Sequence, residues 1–164
     1  MSNSILLADD DPALRQLLGS ALQAEGYDVL SAGTAREATQ IFLHHTPDLV
    51  LLDLSLPGKD GWEVLQFMQQ LRPWMPVIVI TGRPGQFARA SRLGAAGLME
   101  KPLDLPLMFG AIGRMLDRCR RERVEHEMEG FYDELPHSPP PCCLLTTGTE
   151  HPPIVDGCAS PTLS

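Results

Sequence analysis

Several things are scarce in these 164 residues, and each scarcity excludes something. Cysteine is limited to Cys119, Cys142, Cys143 and Cys158, with no CxxC spacing and no histidine at metal-ligand distance in sequence. That argues against a zinc site or a disulfide framework and leaves a cytoplasmic chain with reduced thiols as the expectation. No apolar stretch approaches the ~20 residues of a membrane helix. The apolar run at residues 5–8 meets acid at once, too soon for a signal peptide. Lysine and arginine are absent after residue 123, where seven acids and seven prolines remain, including "HSPPPCC". Low apolar content, proline and charge of one sign mark residues 130–164 as an acidic tail expected to be disordered. It is also expected to be dispensable. Residues 1–123 carry 14 acids against 13 basic residues, so nothing here suggests a nucleic-acid surface.

What is present is alternation. Short apolar runs, "SILLAD", "YDVLSA", "PDLVLLD", "PVIVIT" and "AGLME", recur roughly every 20 residues. Helical spacing lies between them. "PALRQLLGSALQAEG" places Leu14, Leu17, Leu18, Ala21 and Leu22 on one face, with Pro12 in the first turn and a stop at Gly26. Thr34 followed by Glu37 reads as a capping box. "GWEVLQFMQQL" and "GQFARASRLG" follow, and from Asp104 a last helix repeats apolar residues every three or four positions. Five strands alternating with five helices predict an α/β fold, a parallel sheet covered on both faces. The folded domain is predicted over 1–122, with the last helix extending to about 129.

In such sheets ligands bind beyond the carboxyl ends of the strands. There the sequence places Asp9 and Asp10 after the first strand, Asp53 after the third, Thr81 after the fourth and Lys101, followed by Pro102, after the fifth. Two carboxylates ~4 Å apart at an effective dielectric of ~20 repel by roughly 4 kcal/mol. A hard cation with oxygen ligands offsets that, and one that keeps several waters suggests Mg²⁺. A carboxylate nucleophile, a hydroxyl donor and an amine around such an ion describe phosphoryl transfer to a carboxylate.

With "LLADDDP", "PDLVLLDLSLPGKDGWEVL", "PVIVITG" and "MEKPLD" in this order, the chain resembles the response-regulator receiver domains of two-component signalling over about residues 4–120. The resemblance implies a flavodoxin-like five-stranded parallel sheet of order 2-1-3-4-5. It implies that Asp53 is phosphorylated by a histidine kinase or phosphotransfer protein. Mg²⁺ would be held by Asp9, Asp10, Asp53 and the backbone carbonyl of Ser55. Lys101 would pair with the phosphoryl group, and Thr81 would hydrogen-bond it and move with it. The peptide before Pro102 would be cis. Asp11 would cap a helix or face solvent rather than bind metal. Gly58 and Gly61 would shape the turn after Pro57.

Other classes fit less well. A phosphatase of the haloacid dehalogenase type places a second Asp two residues after its nucleophile, where this chain has Ser55. A nucleotide-binding domain needs a glycine-rich loop where this chain has "ADDDPA". A pseudo-receiver, a protein-interaction module without the chemistry, would have no use for the acid pair, Asp53 and Lys101 together.

The chain departs from the family pattern where an aromatic residue usually switches position: Leu98 stands there. Ser55 and Arg83, each two residues past a site residue, occupy positions that vary in the family. The expected output is altered affinity for a downstream protein target, with no DNA binding by this chain and no membrane attachment. A homodimer through the face of the fourth and last helices is a further expectation.

Overall fold

In the computed structural model, residues 2–128 are described, with side chains to residue 122. The element order is β1 (Ser4–Ala8), α1 (Pro12–Ala24), β2 (Asp28–Ala32), α2 (Ala35–His44), β3 (Leu49–Asp53), α3 (Gly61–Leu71), β4 (Val77–Thr81), α4 (Phe87–Arg92), β5 (Gly97–Glu100) and α5 (Leu105–Met128). All four strand pairings are parallel, in the order β2-β1-β3-β4-β5, as the sequence led one to expect. The tail predicted over 130–164 lies outside the described residues.

Side chains alternate across a strand, and this sheet uses both faces. Ile5, Leu7, Leu49, Leu51, Ile78, Ile80 and Met99 pack with Leu18 and Leu22 of α1 and with Met108, Ile112 and Met115 of α5. Leu6, Ala8, Val50, Leu52, Val77, Val79 and Leu98 pack with Phe42 of α2, Leu65 and Met68 of α3 and Ala90 of α4. Strands β3 and β4 are buried along their whole length, which explains their unbroken apolar runs. Strand β2, at the edge, is only partly covered.

One expectation about packing fails. Leu17 is 57% exposed. Residues 14, 18, 21 and 22 cluster within one arc at 100° per residue, and position 17 falls about 90° from its centre. The spacing rule admitted it, but the helix turns it toward solvent.

Local chemistry sets the helix ends. Thr34 Oγ1 accepts from Glu37 N at 3.1 Å, and Glu37 Oε2 accepts from Gly33 N at 2.8 Å, so the capping box closes one residue earlier than its usual form. Helix α4 is different. It has six residues, no side-chain cap and one buried residue, Ala90. Toward α3 it reaches through Arg89, whose guanidinium carbon lies 4.6 Å from the ring centre of Trp62.

Candidate functional site

The register decides which residues meet. Ala8 pairs with Leu52, so the next residues, Asp9 and Asp53, stand level at the ends of adjacent strands. Both are fully buried. Asp9 and Asp10 lie one and two residues beyond β1, Asp53 is the last residue of β3, Thr81 the last of β4, and Lys101 follows β5 directly.

The two buried carboxylates are held alike. Asp9 Oδ1 accepts from Asp11 N at 2.8 Å, and Asp53 Oδ1 accepts from Ser55 N at 2.8 Å. Their second oxygens share one donor: Lys101 Nζ lies 3.1 Å from Asp9 Oδ2 and 2.6 Å from Asp53 Oδ2. The Lys101–Pro102 peptide is cis, as the resemblance implied. The repulsion assigned above to a cation alone is therefore already offset in part by the lysine. One ammonium faces two carboxylates, which leaves one negative charge uncompensated in a buried place.

The acid–base consequences follow. Burial pushes the Asp9 carboxyl up from its ordinary value, and the Asp53 charge adds to this. The Asp11 amide and Lys101 pull it down without reversing the direction. For Lys101, burial disfavours the ammonium, but the hydrogen bonds and charges of Asp53 and Asp9 outweigh it, so its pKa rises.

Asp10 is exposed and completes the acid group: one oxygen from each of Asp9, Asp10 and Asp53 lies within 4.8 Å of the others. Three hard oxygen donors, two buried and one facing solvent, suit a divalent cation of the Mg²⁺ type that retains water on its open side. Asp11 is not among them. Its side chain caps α1, accepting from Ala13 N at 2.9 Å and Leu14 N at 3.3 Å. Asp11→Ala is expected to lower unfolding free energy by about 1 kcal/mol and to leave Mg²⁺ affinity unchanged. Chemical denaturation and calorimetric titration of the same sample check both halves.

The remaining residues fall on two sides. Gly61 opens α3 against the backbone after Asp53: a Cβ there would stand 2.5 Å from the Leu54 Cα, so only glycine admits this approach. Thr81 is buried, but its hydroxyl is engaged within its own loop, accepting from Arg83 N at 3.0 Å. Leu98 is fully buried on the α3–α4 side of the sheet. Sequence reasoning missed Arg15, whose Nη1 donates to the Asp9 carbonyl at 2.6 Å. Its signal would have been an arginine one turn into the helix that follows the acid cluster.

A family model described as the response regulator receiver domain matches residues 5–112. The chain belongs to that family. The receiver is 34% identical over 134 residues to the transcriptional regulatory protein GlrR of Escherichia coli, covering 80% of this chain and 30% of GlrR. It thus spans under a third of that relative. It is 34% identical over 118 residues to sporulation initiation phosphotransferase F of Bacillus subtilis, covering 71% of this chain and 95% of that one. Among solved structures, a CheY-like receiver domain protein from Methanospirillum hungatei superposes with a TM-score of 0.72 at 31% identity, over 74% of this chain and 99% of that one. Receivers of this family belong to two-component signalling. Among the described residues, no helix is long and apolar enough to cross a membrane.

Proposed function

We propose that this receiver accepts a phosphoryl group on Asp53 from a histidine kinase or phosphotransfer protein and thereby changes its affinity for a protein partner. The observation that carries this reading is the buried Asp53 carboxylate, pinned by Ser55 N and Lys101 Nζ beside Asp9. An Asp53 oxygen attacks phosphorus in line, the new P–O bond forms, and the P–N bond to the donor imidazole breaks, leaving the imidazole as product. Asp9, Asp10 and Asp53, with the Ser55 carbonyl, would hold Mg²⁺, which when bound would supply positive charge to offset that of the phosphoryl oxygens. Lys101 swings from two carboxylates to one carboxylate and a phosphoryl oxygen. Thr81 gives up its loop bond to Arg83 and donates to the same group. The likeness to sporulation initiation phosphotransferase F over nearly that protein's whole length supports a transfer role.

The output face is the surface of α4, β5 and α5. Thr81 and Lys101 sit at the mouths of the strands beneath it, and α4 is the least secured helix. A segment with few buried contacts and an uncapped end moves at low cost. Leu98 already fills the core where the family carries a ring, so the rearrangement is expected to be smaller than in an aromatic-bearing relative. The same face is where a homodimer would form, and the setting is cytoplasmic.

Amide chemical shifts on adding Mg²⁺ and then beryllofluoride test the whole reading. Saturable changes at Asp9, Asp53, Thr81 and Lys101 that spread over residues 84–116 are expected. Changes confined to the loops would sink the output face. No saturable change anywhere would sink the phosphoacceptor itself.

A further inference from the structure

Among the described residues the Asp10 carboxylate has no hydrogen-bond or ion-pair partner, yet the acid group needs it in place, so something else must set its position. Asp9 and Asp10 share one planar peptide, and the direction of the Asp9 carbonyl fixes that plane and the course of the chain into Asp10. The Asp9 amide is fixed by the sheet, donating to Ala32 O at 3.1 Å. The carbonyl is fixed by Arg15, whose Nη1 donates to it at 2.6 Å. We infer that Arg15, lodged against Gly33, is a positioning residue that holds the Asp9–Asp10 peptide in the orientation a divalent cation requires.

Gly33 belongs to the inference because of what a side chain there would meet. A Cβ would stand 3.0 Å from Arg15 Nη1, 3.3 Å from Cζ and 3.4 Å from Nη2. The guanidinium therefore lies on the bare face of this glycine, across the β2–α2 loop. That loop is held in turn by the Glu37 carboxylate on Gly33 N. Three segments converge: α1 supplies the arginine, the end of β1 just before it the carbonyl it grips, and the β2–α2 loop its seat. The bond is charge-assisted and comes from a planar guanidinium, whose shape a lysine imitates incompletely.

The inference rests on the proposed Mg²⁺ site, and the test separates the two. Mg²⁺ is titrated calorimetrically into the full chain and into Arg15→Gln, Arg15→Lys, Gly33→Ala and the double variant Arg15→Gln/Gly33→Ala. In the Mg²⁺-free proteins the ¹³C′ shift of Asp9 is recorded. Removing a hydrogen bond behind a metal ligand typically costs about 10–100-fold in affinity. A loss of about 10-fold or more is expected for Arg15→Gln, partial recovery for Arg15→Lys, and a smaller loss for Gly33→Ala. The double variant should be no weaker than Arg15→Gln alone, since both changes act through one contact. The Asp9 ¹³C′ should move in every variant while Asp53 and Thr81 stay in place. A wild-type chain that binds no Mg²⁺ sinks the metal site. Wild-type affinity in Arg15→Gln, an unmoved Asp9 ¹³C′, or additive losses in the double variant overturn the role of Arg15. If Arg15→Gln does not fold, Gly33→Ala decides by the same two readouts.

Discussion

Asp53→Asn is expected to reduce phosphoryl incorporation from a small phosphodonor with Mg²⁺ to the background of denatured protein. The carboxamide has nearly the size of the carboxylate and its oxygen can still accept from Ser55 N, while Lys101 keeps Asp9 as its partner, but it offers no anionic oxygen to attack phosphorus. Loss of label must not be mistaken for loss of fold, and the charge count settles that in advance. The native site sets one ammonium against two buried carboxylates. The variant leaves one against one, so in EDTA it should be at least as stable as the parent toward urea. EDTA should itself halt labelling of the parent. Label that persists in Asp53→Asn on another residue, or that proceeds equally fast in EDTA, would contradict the assignment.

Lys101→Met is expected to have the largest effect on stability. It keeps most of the apolar stem and removes the one cation that, among the described residues, the two buried carboxylates share. Stripping the partner from a buried charge costs about 3–5 kcal/mol, and because the Lys101 side chain is 27% exposed the lower end applies. The sign with pH distinguishes charge from packing. The Lys101 pKa is raised in the fold. Its contribution is thus present below its ordinary value and is lost as pH climbs through the raised one, so the parent should weaken in alkali where the variant has nothing left to lose. The Asp9 pKa is raised as well. Its carboxyl therefore favours the fold while protonated, and that benefit fades as pH climbs through the raised value. Without the lysine, which pulls Asp9 down, the fading is steeper. Urea unfolding in EDTA should show a wide gap between parent and variant near neutral pH that narrows near pH 4, with Mg²⁺ closing part of the neutral gap. A gap of equal width at both pH values would mean that the stem, not the charge, carries the effect.

Much of this site could be read before the fold was seen, because its residues sit where strand patterns end. Asp53 closes an unbroken apolar run, Thr81 closes another, and Asp9 and Lys101 follow strands by one residue. Period and punctuation locate such positions without any knowledge of contacts. The sequence could not disclose how the residues are engaged. That one lysine bridges both carboxylates depends on register between β1 and β3 and on the turn after β5. That Thr81 bonds within its loop depends on the backbone at Arg83. Arg15 shows in the sequence only as an arginine early in the first helix: its target is a backbone carbonyl, which leaves no trace in residue identity. Leu17 was misjudged because a spacing of three admits positions at the rim of an apolar arc.

The ammonium that joins Asp9 and Asp53 arrives from 92 and 48 positions away along the chain. Parallel pairing makes such separations unavoidable, and closing them is slow compared with forming any single helix. During synthesis the two acids emerge long before their counter-charge, and a chain halted ahead of β5 holds a pair of carboxylates with nothing to reconcile them. The acidic pocket is thus among the last parts of the molecule to come into being, and it is complete only once β1, β3, β4 and β5 have been brought side by side.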